Sequence, residues 1–240
     1  MAAAIDFELR RHRNPARAPA EKAYLKSDLE FLGVGLPQMR QIVRAVQRQD
    51  EGLDRRQLVS LVGLLWRTPL FERRMVAVLL LEAFQPLLRP ADIVLLERMI
   101  RQSKTWAFVD ELAIVIVGPL VERSPDLLRV LDRWAWDNDF WLRRSAMLAL
   151  LRPLRRGDGD FRRFARYAER MLEEREFFIR KSIGWILRET GKRRPDVVHG
   201  WLLPRAARAS GVTIREAVKY LSPAQRAELL AAYRSAPGRR

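Results

Sequence analysis

Apolar residues recur along the chain at helical spacing, and the predicted helices themselves recur about every 35 residues. Three segments align without gaps: RPADIVLLERM from Arg89, SPDLLRVLDRW from Ser124 and RPDVVHGWLLP from Arg194. Each has proline at its second position, and Asp160 takes the corresponding place in the repeat without a proline. Because proline and a nearby acid favour the first turn of a helix, we predict an A helix at each of these points.

A second series consists of aromatic residues between these starts. Phe71, Trp106, Trp141 and Phe178 are separated by 35, 35 and 37 residues, and each opens a stretch with helical apolar spacing. We predict a B helix from each aromatic residue. No stretch shows strand-like alternation, so the expected class is all-α. The period favours HEAT-like antiparallel helix pairs over tetratricopeptide or ankyrin repeats, whose signature residues are absent.

The predicted organisation has three parts. Residues 1–20 are an N-terminal arm or short helix, residues 21–234 form a single HEAT-like repeat domain, and residues 235–240 are a polar tail. Residues 21–33 and 37–49 read as the first helix pair of the domain. The expected architecture is an α-solenoid whose B helices form a basic concave face.

Composition indicates the class of partner. The formal charge of +16 and the pI of about 11.2 predict binding to a polyanion, since long-range attraction favours phosphates. The chain has no cysteine and only two histidines, which argues against thiolate chemistry, a zinc site or a Ser-His-Asp triad. We see neither a signal peptide nor an apolar stretch long enough to span a bilayer, so we expect no membrane partner and a cytoplasmic, nucleoid-associated protein of bacterial type.

The repeat also identifies the residues that depart from it. Four positions after each aromatic residue stand Met75, Asp110, Ser145 and Ser182, on one face of successive B helices. Asp110 is the only acid in this series, and it lies one turn after Trp106. An acid repels the DNA backbone, so it needs a reason other than phosphate binding, such as stabilising positive charge that develops in a reaction.

Two more residues share this register. Trp185 follows Ser182 by three positions, and Arg144 stands in register with Val109. We expect a carboxylate, two tryptophans and an arginine to converge from three consecutive B helices. Simpler roles remain open: Asp110 can interact with the helix dipole or with neighbouring cations, the tryptophans can be core, and the arginine can be solvated.

Long segments around these residues resemble a known family. SKTWAFVDELA, DNDFWLRRSAMLALL, EFFIRKSIGWILRE and RRPDVV look like the DNA alkylation repair family, typified by AlkD-type DNA glycosylases. FLGVGLPQMRQIV and TIREAVKYL also match, so the resemblance covers about residues 10 to 222. It implies a HEAT-like fold that wraps duplex DNA and excises positively charged N3- or N7-alkylated purines in base excision repair. The family is thought to do so without an enclosed base-flipping pocket.

The resemblance also implies a role for each site residue. The catalytic aspartate of the family matches Asp110, its two lesion- and deoxyribose-contacting tryptophans match Trp106 and Trp185, and its phosphate-contacting arginine matches Arg144. We expect the neighbouring residues Arg143, Arg180 and Lys181 to bind phosphates as well. No metal or cofactor is implied, and we expect a monomer. The chain departs from the pattern at Thr105 and Ala107, where typical members carry an aromatic residue and an acid.

Two alternatives to a glycosylase follow from the same fold. One is a non-catalytic binder of damaged or branched DNA, and the other is a HEAT-type scaffold for proteins. The charge of +16 argues against the scaffold. Because Asp110 and both tryptophans are present, the prediction favours a monofunctional DNA-alkylpurine N-glycosylase, which is a hydrolase of N-glycosyl bonds.

Overall fold

A computed structural model describes residues 1–49 and 52–235 of the protein. All the regular elements in these ranges are helices, and one isolated parallel bridge joins Glu30 and Leu70. The predicted all-α class is therefore confirmed. The chain divides into two compact units, Met1–Leu120 and Val121–Arg240. All of the predicted polar tail except Ser235 lies outside the described residues.

The first unit contains seven α-helices and the start of an eighth within its described residues. They are α1 (Ala2–Arg11), α2 (Ala18–Leu25), α3 (Leu36–Gln49), α4 (Arg55–Trp66), α5 (Phe71–Ala83), α6 (Ile93–Arg101), α7 (Trp106–Glu111) and α8 (Gly118–Arg123). Short 3-10 helices span Gln85–Leu87 and Pro90–Asp92, and a π-helix spans Leu112–Val117. The chain's first residues are helical and packed, since Ile5 and Leu9 of α1 are buried.

The second unit continues from α8 with the remaining helices of the described chain. They are α9 (Leu128–Trp134), α10 (Phe140–Leu148), α11 (Leu151–Arg156), α12 (Phe161–Met171), α13 (Phe177–Gly191), α14 (Pro195–Leu202), α15 (Gly211–Ala217) and α16 (Pro223–Arg234). The 3-10 helices here span Pro125–Leu127, Leu203–Arg205 and Val218–Tyr220.

The predicted A helices begin where the repeat places them. Pro90 and Pro125 each open a 3-10 turn that runs into α6 or α9, and Pro195 is the first residue of α14. Asp160 precedes α12 and its carboxylate accepts the backbone N–H of Arg163 at 2.9 Å. An acid therefore replaces proline as the start signal in that repeat, through a side-chain cap.

The predicted B helices are also confirmed. Phe71 and Trp106 are the first residues of α5 and α7, while α10 and α13 begin one residue before Trp141 and Phe178. Phe71 stacks between Phe31 and Phe108, with ring centres 4.7 and 4.9 Å apart. Phe71 is therefore part of the core.

The predicted helix over 21–33 is wrong in its second half. The helix α2 ends at Leu25, and Lys26 has a left-handed backbone with φ 48°. The chain then extends, and Glu30 exchanges backbone hydrogen bonds with the loop before α5, donating to Pro69 at 2.9 Å and accepting from Phe71 at 2.9 Å. These pairings replace the helical hydrogen bonds that the local pattern predicts.

A buried carboxylate fixes the next few residues. Glu72 of α5 has no exposed surface, and its carboxylate accepts the backbone N–H groups of Leu32, Gly33 and Val34 at 2.6 to 3.1 Å. Gly33 has φ +77°, and a Cβ there would lie 2.2 Å from the carbonyl oxygen of Asn14. The FLGVG segment is therefore a carboxylate-bound turn that requires glycine at this position.

Ion pairs join neighbouring repeats inside each unit. Several ion pairs join residues 34 to 37 positions apart, and we call four of them the inter-repeat ion pairs: Arg55–Asp92 (2.5 Å), Arg156–Glu122 (2.6 Å), Arg208–Glu173 (2.6 Å) and Lys181–Glu216 (2.7 Å). Their sequence separation is about one repeat. Adjacent repeats are thus matched by charge as well as by apolar packing.

Candidate functional site

The helix α7 presents Trp106 at its first position. Lys104 turns the chain with a left-handed φ of 52°, and the hydroxyl of Thr105 accepts the backbone N–H of Ala107 at 3.4 Å. Thr105 is one of the two positions where the chain departs from the family pattern, and here it caps the helix. The departure removes an aromatic residue but gives α7 a defined start.

Asp110 lies one turn after Trp106, and both residues are half-buried. Residues four positions apart share a helix face, so the carboxylate and the indole are neighbours on α7. The equivalent residues of the other repeats, Met75, Ser145 and Ser182, are all buried. That position is therefore interior in three repeats, and Asp110 differs from them in both chemistry and exposure.

Tyr24 of α2 extends the aromatic surface around Trp106. The two rings meet edge to face, with centres 5.9 Å apart and planes at 79°, and Tyr24 is 72% exposed. The sequence reasoning missed Tyr24, because it lies 82 residues before Trp106 and belongs to neither repeat series. An exposed aromatic ring beside a half-buried one offers π surface to a ligand.

A second carboxylate lies beside Asp110. Arg40 of α3 bridges Glu82 at 3.1 Å and Glu111 at 3.6 Å. Burial raises the pKa of Glu111, the charges of Glu82 and Asp110 raise it further, and the Arg40 guanidinium lowers it. This part of α7 is therefore acidic, which is unsuited to a simple phosphate contact. The sequence reasoning missed this cluster as well.

The chain leaves α7 through an unusual element. Leu112–Val117 forms a π-helix directly after Asp110 and Glu111. Helices of this type are rare, and they occur most often as short inserts at functional sites. The π-helix begins at the residue after Glu111. The α-helical geometry therefore changes directly after the two carboxylates of α7.

In the second unit, Arg144 lies in the interior. It is 3% exposed, its Nη1 donates to the backbone carbonyl of Phe178, and its guanidinium carbon lies 5.8 Å from the centre of the Phe178 ring. Its counterpart in the first unit, Val109, is also buried. The predicted phosphate contact of Arg144 stays a prediction, and it requires that the side chain reach DNA from a buried position.

The other predicted phosphate-binding residues are held by protein groups. Arg143 donates to both carboxylate oxygens of Glu174 at 3.0 and 2.8 Å, and Arg180 donates to the backbone carbonyl of Glu174 at 2.6 Å. Lys181 pairs with Glu216 at 2.7 Å. For these three residues, phosphate binding would compete with an existing partner. Trp185, one turn after Lys181, is half-buried.

Glu216 is the centre of the charge network on α13 and α15. It accepts from Lys181, Arg188 and Lys219 at 2.6 to 3.1 Å. Burial disfavours its charged form, but the hydrogen bonds from the two lysines and the surrounding positive charges outweigh burial and lower the pKa of Glu216 to about 2. A carboxylate with a lowered pKa stabilises the fold above its ordinary pKa, and this stabilisation is lost as the pH falls toward 2.

Replacing Glu216 with glutamine should therefore lower stability at neutral pH. We expect a loss of about 1–2 kcal/mol after allowing for solvent screening, and the difference from wild type should shrink between about pH 5 and pH 3. If Lys181 binds phosphate as predicted, the loss of its carboxylate partner should also raise affinity for duplex DNA. Urea unfolding at several pH values and anisotropy with duplex DNA measure the two effects.

Glu173→Gln is the matched control for that variant. Glu173 is 63% exposed at its side chain and pairs with Arg208, so its neutralisation should change stability by less than about 1 kcal/mol. If Glu216→Gln were as stable as this control at neutral pH, the network would not stabilise the fold.

No group of three or more His, Cys, Asp or Glu side chains is placed to hold a metal ion within the described residues. None of the helices in that part of the chain combines the length and the apolar character that crossing a membrane requires.

The chain is similar in fold to three solved structures. A "Predicted DNA alkylation repair enzyme" from Enterococcus faecalis has a TM-score of 0.80 at 22% identity, over 88% of this chain and 98% of that one. AlkD2 from Streptococcus mutans has a TM-score of 0.61 at 18% identity, over 85% of this chain and 99% of that one. The smu.31 protein of Streptococcus mutans UA159 has a TM-score of 0.58 at 17% identity, over 77% of this chain and 100% of that one.

The amino-acid sequence supports the relationship that these structural similarities indicate. No curated protein sequence matches the chain. The sequence pattern of the family described as DNA alkylation repair enzyme, however, matches residues 5–221, which is nearly the whole chain and includes every candidate site residue. The chain therefore belongs to the DNA alkylation repair enzyme family.

Proposed function

We propose that the protein is a monofunctional DNA glycosylase that releases positively charged N3- or N7-alkylated purines from duplex DNA in base excision repair. One observation carries the proposal: Asp110 places a half-buried carboxylate one turn from Trp106, where the other repeats bury methionine or serine. A surface selected only for phosphate binding gains nothing from that acid. A surface that meets a cationic lesion does gain from it.

The chemistry uses the charge of the lesion. Alkylation at N3 or N7 makes the purine cationic, so the electron pair of the C1′–N bond leaves readily with the base. The sugar that remains has oxocarbenium character, and the Asp110 carboxylate stabilises its positive charge. The same carboxylate orients a water molecule, whose oxygen bonds to C1′ while its proton passes to the carboxylate or to solvent.

The aromatic residues supply contacts rather than protons. Trp106, with Tyr24 at its edge, presents π surface beside Asp110. Contacts of this surface with the cationic base and the sugar C–H groups are each worth roughly 0.5–2 kcal/mol. We propose that Trp185 makes a similar contact and that the lesion is processed without entering an enclosed pocket. We expect the protein to act as a monomer.

Four basic residues of the second unit complete the proposal. Arg143, Arg144, Arg180 and Lys181 would bind DNA phosphates, and their present partners are a carboxylate or a backbone carbonyl. A phosphate can replace either partner, because it accepts the same hydrogen bonds and carries a negative charge. Convergence of these residues with Asp110 stays a prediction from the repeat register.

The direct test is base release by the wild-type protein. Duplex DNA treated with a methylating agent is incubated with the protein, and the free bases are separated by chromatography. We expect 7-methylguanine or 3-methyladenine in the soluble fraction and no unmodified guanine. If DNA were bound but no modified base released, the alternative of a non-catalytic binder of damaged or branched DNA would replace the glycosylase.

A further inference from the structure

A second group of basic residues surrounds an open pocket in the first unit. The pocket has a volume of about 580 Å³ and lies at the ends of α4 and α6 and at the loop before α7. Its cationic lining residues are Arg67, Arg74, Arg98, Arg101 and Lys104. No residue of the lining is acidic. We call this feature the α4–α6 basic pocket.

Most of the charge in this pocket is not neutralised by the protein. Arg101 pairs with Glu97 at 2.9 Å. Arg67, Arg98 and Lys104 are exposed, and no carboxylate of the described chain pairs with their side chains. This contrasts with the second unit, where the predicted phosphate-binding residues Arg143 and Lys181 are paired with acids.

Arg74 lies deepest among the cations. It is 9% exposed, and its guanidinium donates to the backbone carbonyls of Trp66 and Thr68 at 3.1 Å and of Gln102 at 2.9 Å. Burial lowers the pKa of Arg74, and no carboxylate is among its partners in the described chain. A buried charge without a counterion is costly, so an anion in the pocket would stabilise it.

Helix capping accounts for only part of this arrangement. The C-termini of α4 and α6 each carry roughly half a negative charge, which together offset about one cation. Glu97 offsets one more. Five cations therefore leave an excess of about three positive charges at the pocket. Stabilisation of the helix ends does not require so many.

The wall of the pocket selects phosphate over a nucleobase. Trp66 is 4% exposed; the Arg74 guanidinium lies over its ring at 4.9 Å, and Phe108 meets it at 5.4 Å. Its indole N–H already donates to Gln102 at 3.0 Å. The ring is thus unavailable for stacking on a base, whereas the exposed cations at the rim can donate to phosphate oxygens.

We propose that the α4–α6 basic pocket is an additional binding site for backbone phosphate of duplex DNA. The proposal rests on the proposed function, since it takes DNA as the ligand. Lys104 belongs both to the pocket and to the turn that leads into Trp106. A phosphate held there anchors the DNA backbone next to the start of α7, independently of the residues of the second unit.

The test uses the double variant Arg98→Ala/Lys104→Ala in the full chain. Its matched control is Arg48→Ala/Arg56→Ala, which removes two exposed cations of the same unit that have no carboxylate partner in the described residues. Affinity for undamaged duplex DNA is measured by anisotropy at several salt concentrations. We expect the plot of log K against log salt concentration to become less steep, by about 1–2 in the magnitude of its slope, for the pocket variant. The control should change the slope by clearly less.

Three outcomes would be informative. Equal slopes for the pocket variant and its control would overturn the proposal. Calorimetry with inorganic phosphate distinguishes DNA phosphate from a free anion. If the pocket variant lost binding of inorganic phosphate but kept the wild-type salt dependence of DNA binding, the pocket would be a site for a free anion. That result would also overturn the proposal. If wild type released no base but the pocket variant still lowered the slope, the glycosylase would fail while the pocket inference stood.

Discussion

Replacing Asp110 with asparagine should abolish detectable release of 7-methylguanine while DNA affinity stays equal or rises. Asparagine keeps the size of the side chain but removes the charge that stabilises the oxocarbenium-like sugar. Loss of one such electrostatic group costs about 10²–10³ in rate in well-studied enzymes, so we expect at least that loss here. Affinity should not fall, because the substitution also removes repulsion between Asp110 and the phosphates.

The matched control for this variant is Glu111→Gln. Glu111 is the neighbouring carboxylate, and Arg40 links it to Glu82. If the effect came from the general acidity of α7, both variants would lose activity to the same degree. We expect Glu111→Gln to retain base release in single-turnover measurements with excess protein. Wild-type rates in Asp110→Asn would overturn the catalytic assignment.

The largest expected effect on stability belongs to Glu72→Ala. The truncation leaves the backbone N–H groups of half-buried Leu32 and of buried Gly33 and Val34 without their acceptor. Each unsatisfied buried group costs about 1–3 kcal/mol, and water that enters the space recovers part of that cost, so we expect a loss of about 3–6 kcal/mol. Urea unfolding at neutral pH measures it.

Two further variants serve as a conservative substitution and a control for this prediction. Glu72→Gln keeps one acceptor oxygen, and a single oxygen of Glu72 accepts all three N–H groups, so this variant should lose clearly less stability than Glu72→Ala. Glu30→Ala changes an exposed acid whose backbone alone takes part in the bridge to Leu70, so it should change little. If Glu72→Ala unfolded at the same urea concentration as Glu30→Ala, the carboxylate would not hold the turn.

The starts of the repeat helices could be predicted from sequence because they depend on local chemistry. Proline fixes its own φ and an acid caps the N–H groups next to it, so Pro195 and Asp160 carry their signal within one turn. The aromatic series predicted the B helices to within one residue. The neighbourhood of Asp110 and Trp106 on α7 followed from that register.

Features set by distant residues could not be predicted in this way. The turn at 32–34 depends on Glu72, about 40 residues later, and the ring beside Trp106 comes from Tyr24. The π-helix at Leu112–Val117 has the same apolar composition as an ordinary buried helix, so no sequence signal marks it. In each case the local sequence pattern is compatible with more than one backbone conformation.

The burial of Arg144 is a different case, because the repeat register contained part of the information. The register aligns Arg144 with Arg74, Val109 and Lys181; Arg74 and Val109 are buried, whereas Lys181 is half-buried. The general preference of arginine for the surface outweighed that signal in the sequence analysis. The register therefore indicates burial at two of the three equivalent positions, which does not by itself decide the place of a charged side chain.

The inter-repeat ion pairs also bear on how such a chain can grow by duplication. Each pair places an acid on one repeat and a base on an adjacent repeat, in either order, so the charges match a repeat to its present neighbour. A single repeat copied elsewhere in the chain would meet a neighbour without the matching charge. Complementary charges restrict partner choice between coiled-coil helices in the same way. Adjacent repeats copied together would keep their pair, whereas a single copied repeat would lose it.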